Sequence, residues 1–300
     1  MTARPRTLLP IHPLLPILAT ALAIALFSLM DALMKSASLA VGAYNALLFR
    51  SLIGTVLMLP IWWLGGCRWP DGPRVRMHLL RGAVAAGMVM LFFFALVRLP
   101  IAEAIALSFI APLFALYLAA VMLGEQISRR AIMASVLGFA GMLVIVGGRI
   151  GRQALDQDVA IGILAVLGSA LLYAWSLVLQ RRIAQIADPR EITLAQNLVI
   201  SLILLLFAPW WAAWPGMAAI GPITLSAVLA SAAILLLSWA YARAETQVLV
   251  PIEYTAFLWA MLFGWLFFAE QVGPFTLAGT ALIVAGCWTG ARKRTEQTAL

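Results

Sequence analysis

The chain has 300 residues, of which 64% are hydrophobic and only 11% charged, with a mean hydropathy of +1.02. Soluble domains carry about a quarter of their residues charged, so a water-dissolved globule is excluded and a bilayer is the expected solvent. The net charge of +8 does not point to nucleic acid, because the basic residues stand singly or in twos and threes between apolar runs.

A hydrocarbon core about 30 Å thick takes roughly 20 helical residues per crossing. The apolar runs predict helices at 14 to 35, 44 to 65, 78 to 97, 101 to 123, 130 to 148, 159 to 180, 192 to 213, 221 to 241, 248 to 268 and 274 to 291. Turn residues separate them at Gly65-Gly66, Pro70-Asp71-Gly72-Pro73, Gly147-Gly148, Asp188-Pro189 and Gly273-Pro274. Arg4 and Arg6 before the first run imitate a signal peptide. That run continues past signal length to Asp31 and Lys35, so an uncleaved first helix is expected. Fifteen lysines and arginines fall on the side of the termini, against Lys35, Arg98, Arg149 and Arg152 on the other. The bias places both termini, tails 1 to 13 and 292 to 300, in the cytoplasm.

The segment from Arg98 to Gly141 occurs twice. Arg98, Glu125, Gln126 and Gly141 recur as Arg243, Glu270, Gln271 and Gly286, each 145 residues on (243−98 = 286−141 = 145). The expected fold is therefore an all-α integral membrane protein of ten transmembrane helices in two repeats, 14 to 148 and 159 to 291. Five helices per repeat invert the second copy relative to the first. Secondary transporters are commonly built this way, with the substrate site between the repeats near the midplane.

Charged residues inside such helices are costly and mark functional or structural sites. Asp31 and Lys35 are four apart on one helix face, and with Arg50 they fall near the outer ends of the first two helices. They are candidates for an ion-pair cluster at the outer gate, for direct substrate contact or for simple snorkelling. Glu103 and Glu253 are the other acids within predicted helices, and Glu253 is the repeat mate of Ser108 (253−108 = 145). Ser108 precedes Ala111 and Ala115, and Glu253 precedes Ala256 and Ala260, so each helix presents one polar residue on its small-residue face. Such a face either packs helices tightly or leaves room for a cavity into which Ser108 and Glu253 project. Pro112 and Pro251, which remove backbone donors, favour the cavity.

Among aromatic residues, Trp62, Trp63, Trp210, Trp211 and Trp214 read as interfacial anchors. Tyr173, Trp175, Trp239, Tyr241, Tyr254 and Trp259 are candidates for an aromatic wall or for ordinary packing. His78 opens the third predicted helix beside Arg81 and reads as an interfacial residue, with a proton carrier or a substrate contact as the alternatives.

Cys67 and Cys287 sit near opposite ends of the chain, so neither a disulfide nor a metal set is expected. No G-x-x-x-x-G-K-[ST] segment occurs, which excludes ATP as a direct energy source by that motif. No nucleophile-base pair suggests catalysis. No cofactor is expected, the partners being a small-molecule substrate and membrane lipid. Ala134, Gly138, Gly141, Gly279 and Gly286 suit helix packing within a monomer or across a weak homodimer.

A proline-containing helix with a small-residue stripe, then Leu123-Gly124-Glu125 and a glycine-rich helix, resembles the EamA domain of the drug/metabolite transporter superfamily. Asp31-x-x-x-Lys35 and Phe49-Arg50 are also familiar there. The resemblance implies a transporter of ten helices in two five-helix repeats. Several bacterial members export amino acids, and the YddG type handles aromatic and other hydrophobic ones. It implies an exporter of neutral or aromatic amino acids in a bacterial inner membrane, with S-adenosylmethionine or nucleotide-like metabolites and lipophilic cationic drugs as alternatives. The second copy departs from the pattern, with Ala269 for Gly124 and Phe257 for Pro112.

Overall fold

Hydrocarbon offers no partner to an open backbone group, so each apolar run closes its hydrogen bonds within a helix. A computed structural model describes residues 14–66, 69–111, 114, 129–150, 157–244, 249, 252–253 and 255–291. Among the described residues the chain runs α1 (Leu14–Val41), α2 (Ala43–Leu64), α3 (Gly72–Leu96), α4 (Ile101–Ser108), α5 (Arg129–Ile150), α6 (Gln157–Ile186), α7 (Pro189–Trp211), α8 (Gly216–Tyr241), α9 (Ala256–Phe268) and α10 (Pro274–Ala291), with no strand. Six of these, α1 to α3 and α6 to α8, are long and apolar enough to cross a membrane, and shorter apolar stretches lie at 136–148, 256–268 and 274–286.

Several helices outrun the hydropathy that predicted them. α3 begins at Gly72 rather than at 78, because the Asp71 side chain accepts the Arg74 backbone N–H at 3.3 Å and a proline stands in the first turn. α6 continues to Ile186 and α7 starts at Pro189, where Asp188 accepts the Arg190 N–H at 2.9 Å. Hydropathy marks where lipid ends, whereas caps mark where a helix ends.

The two repeats are interdigitated. α1 packs along α8 and α3 along α6, while α2 meets α7 and α5 meets α10. Gly141 and Gly279 place α5 and α10 so close that a Cβ on either would lie 2.5 Å from the other's carbonyl oxygen. Gly162, near the start of α6, lies against Arg98 and Leu99 just beyond the end of α3, and Ser169 donates to the Met88 carbonyl at 2.8 Å. α6 therefore runs antiparallel to α3. Lys35, near the end of α1, reaches the Leu99 carbonyl at 2.8 Å, so α1 and α3 run in the same sense. The end where α1 and α3 begin is called the near end below, and the other the far end.

The repeated arginines do the same work in both copies. Arg98 donates to the Phe94 carbonyl at 2.9 Å and stacks 3.7 Å over the Phe94 ring; Arg243 donates to the Trp239 carbonyl at 3.2 Å and stacks 4.4 Å over Trp239. Each satisfies a carbonyl at the end of the third helix of its repeat.

Large apolar side chains point outward along the helices, with Val56 70% and Leu64 88% exposed, as a lipid-facing surface requires. Met34, Leu47, Phe93, Leu107, Ile200 and Ile223, drawn from both repeats, are fully buried within. Trp63, Trp210, Trp211 and Trp214 are exposed in the manner of anchors, but Trp62 is buried against Met58 and Leu194 and anchors nothing.

Candidate functional site

At the far end a charged lock joins the repeats. Lys35 of α1 forms an ion pair with Glu270, which follows α9, and also donates to the Leu99 carbonyl at 2.8 Å. The other Glu270 oxygen accepts the backbone N–H of Ile101 at 2.8 Å. Ile101 opens α4, so the carboxylate also meets the positive end of a helix dipole. The pair is nearly sealed from solvent, the side chains being 8% and 13% exposed, and Lys35 lies 5.1 Å from the centre of the Phe268 ring.

Two backbone features aim Glu270. Ala269 adopts φ 51°, ψ 29°, a left-handed cap that ends α9 and turns the chain. Gly264 then leaves space, since a Cβ there would lie 2.7 Å from Glu270 Oε2. The small-residue stripe of the second copy thus seats a carboxylate as well as packing helices.

Of the cluster expected of Asp31, Lys35 and Arg50, Lys35 stands apart. Lys35 turns away to Glu270, because its long side chain reaches the α3–α4 connection. Arg50 places Nη1 3.4 Å from Met30 Sδ and its guanidinium 5.4 Å over the Phe93 ring. Asp31 and Arg50 are both buried and close enough to act on each other as charges, without a direct hydrogen bond among the described residues.

A second polar centre lies toward the near end. Glu253 is buried and accepts a hydrogen bond from the Tyr173 hydroxyl of α6 at 2.8 Å and another from the Tyr241 hydroxyl of α8. The two phenols donate to one carboxylate and so tie α6 and α8 to it. Its remaining lone pairs can still accept from a third donor. Gln180 of α6 donates to Ser238 of α8 at 3.0 Å close by, and its Oε1 is buried without a partner.

The other candidates separate by face. Ser108 donates to the Ala104 carbonyl at 2.8 Å and is half-buried, and Glu103 lies half-buried in the first turn of α4. His78 is buried, with Nε2 2.9 Å from Glu191 Oε1, tying α3 to α7. Trp175 is 38% exposed and shares the outward stripe of α6 with Leu164 and Leu171, so it forms no interior wall. Trp239 serves as the platform for Arg243. Trp259 stacks on Phe263 at 6.0 Å along α9. Tyr254, Pro112, Pro251 and Glu125 lie outside the described residues. In the sequence Glu270 stands out only as a repeat anchor and Arg81 only as the neighbour of His78; the constant offset of 145 residues is the signal that marks Glu270.

The EamA-like transporter family model matches the chain twice, over residues 14–147 and 160–289. The pseudopaline exporter CntI of Pseudomonas aeruginosa is 27% identical over 280 residues, covering 90% of this chain and 94% of that protein. A riboflavin transporter of Brucella anthropi is 26% identical over 251 residues, covering 79% and 83%. A solved crystal structure that is 21% identical superposes with a TM-score of 0.65 over 91% of this chain and 95% of that one, a likeness of fold.

Proposed function

The chain belongs to the EamA-like transporter family and is a membrane transporter, and we propose that it is a secondary transporter of the bacterial inner membrane that exports small amphipathic metabolites by alternating access. The observation that supports this reading is the Lys35–Glu270 lock. It joins the first repeat to the second at the far end by a few polar bonds, so a small relative motion of the repeats would open it. The charge bias of the loops assigns the near end to the cytoplasm and the lock to the outside.

Neutral and aromatic amino acids are the proposed substrates. Glu253 with its two tyrosines offers an acceptor for an ammonium group, and the surrounding apolar helices suit a hydrophobic side chain. A second reading, a larger metabolite, is favoured by the pseudopaline exporter and the riboflavin transporter among the relatives.

Counterflow in liposomes tests the proposal. Purified protein is loaded with one unlabelled solute and given the same labelled solute outside, across neutral, aromatic and charged amino acids, riboflavin, S-adenosylmethionine and a lipophilic cation. Accumulation of neutral or aromatic amino acids, reduced at least tenfold by Glu253→Gln, is the expected result. Exchange confined to riboflavin, the nucleoside or the cation overturns the amino-acid assignment, and exchange of none overturns transport of these classes.

A further inference from the structure

Arg81 has no role in the lock or in the Glu253 centre, yet it is only 5% exposed. An arginine that snorkels keeps its guanidinium at the surface; here the Nε is buried without a partner. Among the described residues no hydrogen bond or ion pair is made by this side chain. The acid on the neighbouring helix is already engaged, since Glu191 has one oxygen on His78 at 2.9 Å and the other 3.6 Å from Arg74.

Helical phase shows where Arg81 points. At 100° per residue, His78 and Gly82 form the α3 face against α7, where a Cβ on Gly82 would meet Val199 at 2.4 Å. Gly87 and Leu91 form the face against α6, touching Leu172 and Gly168. Leu79 and Ala83 are exposed to lipid. Arg81 falls between the two packed faces and opposite the lipid, in one stripe with Ala85, Met88 and Phe92. The Met88 carbonyl accepts from Ser169, so the stripe runs beside α6.

The level follows from the same bond. Arg81 lies seven residues from Met88 and Ser176 seven from Ser169, in antiparallel helices, so both are displaced about 10 Å toward the near end. Ser176 stands between Tyr173, which holds Glu253, and Gln180 on one face of α6. Arg81 therefore enters the layer that contains the Glu253 carboxylate.

Repeat arithmetic gives an independent indication. The mate of Arg81 is Ser226 (226−81 = 145), and the mate of Glu253 is Ser108. Each repeat thus has one serine and one charge at these two positions, the first repeat supplying the cation and the second the anion. A site with opposite charges from opposite repeats matches a solute that carries both signs.

We propose that Arg81 binds the carboxylate of the transported solute, making the interior site specific for amphipathic carboxylates and zwitterions; the proposal rests on the transport reading above and assigns the substrate class of that site. Guanidinium presents paired donors in the geometry a carboxylate needs, and a buried cation without a partner gains most from an anion that brings one. The same unpaired cation repels lipophilic cations and gives nothing to riboflavin, which has no carboxylate.

Binding to the purified full-length protein is read by intrinsic tryptophan fluorescence with phenylalanine, 3-phenylpropionate, which has the carboxylate alone, and phenylalaninamide, which has the amine alone. The expected order for the unaltered protein is phenylalanine first, 3-phenylpropionate second and the amide last. Arg81→Gln is expected to weaken both carboxylates about 10- to 100-fold and to leave the amide within about twofold or improve it. Arg81→Lys should recover part of the loss, and retained monodispersity of both variants excludes misfolding as the cause. Binding of 3-phenylpropionate without phenylalanine would sink the amino-acid reading while upholding Arg81. The proposal is overturned if the amide binds as tightly as phenylalanine, if Arg81→Gln weakens all three alike or none, or if no probe binds.

Discussion

The two ends of the molecule are repeat mates that have been built differently. At the far end Lys35 meets Glu270 and the N-terminus of α4. Its mate at the near end is Gln180 (180−35 = 145), which makes one neutral bond to Ser238 and leaves an oxygen unsatisfied. A buried ion pair is expensive to break singly, whereas a neutral bond trades readily with water. At these mated positions the two ends differ in how firmly they hold, while the near end has its own charged link between the repeats in Glu191 with His78 and Arg74.

Substitutions can break or sharpen that contrast. Lys35→Met or Glu270→Gln alone leaves a buried charge unpaired, for an expected loss of about 3–5 kcal/mol of far-end stability. The double variant should recover much of it, and thermal unfolding in detergent reads both. Gly264→Ala places a methyl where Glu270 Oε2 lies, 2.7 Å away. It should cost about 1–3 kcal/mol and reproduce the Glu270→Gln phenotype in weaker form; an unchanged melting temperature would mean the carboxylate can be seated otherwise. Ala269→Gly relieves a left-handed alanine at φ 51° and should stabilise the protein by about 1 kcal/mol. Gln180→Leu removes a bond from a side chain only half satisfied, so a change of about 0.5–1.5 kcal/mol at most is expected. A loss as large as that of Lys35→Met would erase the asymmetry.

Much of this frame is legible in the sequence. Helix positions follow from apolar length, and the constant offset that pairs Arg98 with Arg243 reappears as two identical arginine-on-aromatic caps. The family expected from Leu123-Gly124-Glu125 and its surroundings is the one found. The lock was not legible, because local spacing favours Asp31 as the partner of Lys35, while the actual partner lies 235 residues away. Depth along a helix was also easier to read than its face. Trp175 sits inside its apolar run and Trp239 two residues from the end of its own, yet one faces outward and the other supports Arg243. Arg81 was hidden by its rule: an arginine near a helix start counts toward orientation, and only burial separates it from the others.

The central claim, an interior reached from one side while the charged end is shut, is tested most directly by thiol access in native membranes. With Cys67 and Cys287 replaced by serine, Met88→Cys on the interior stripe of α3 is treated with a membrane-impermeant maleimide from either side. The account predicts labelling from the cytoplasm alone, with access from outside appearing only when Glu270→Gln is added. Labelling from outside with the lock intact, or outside access unchanged by that substitution, would contradict it.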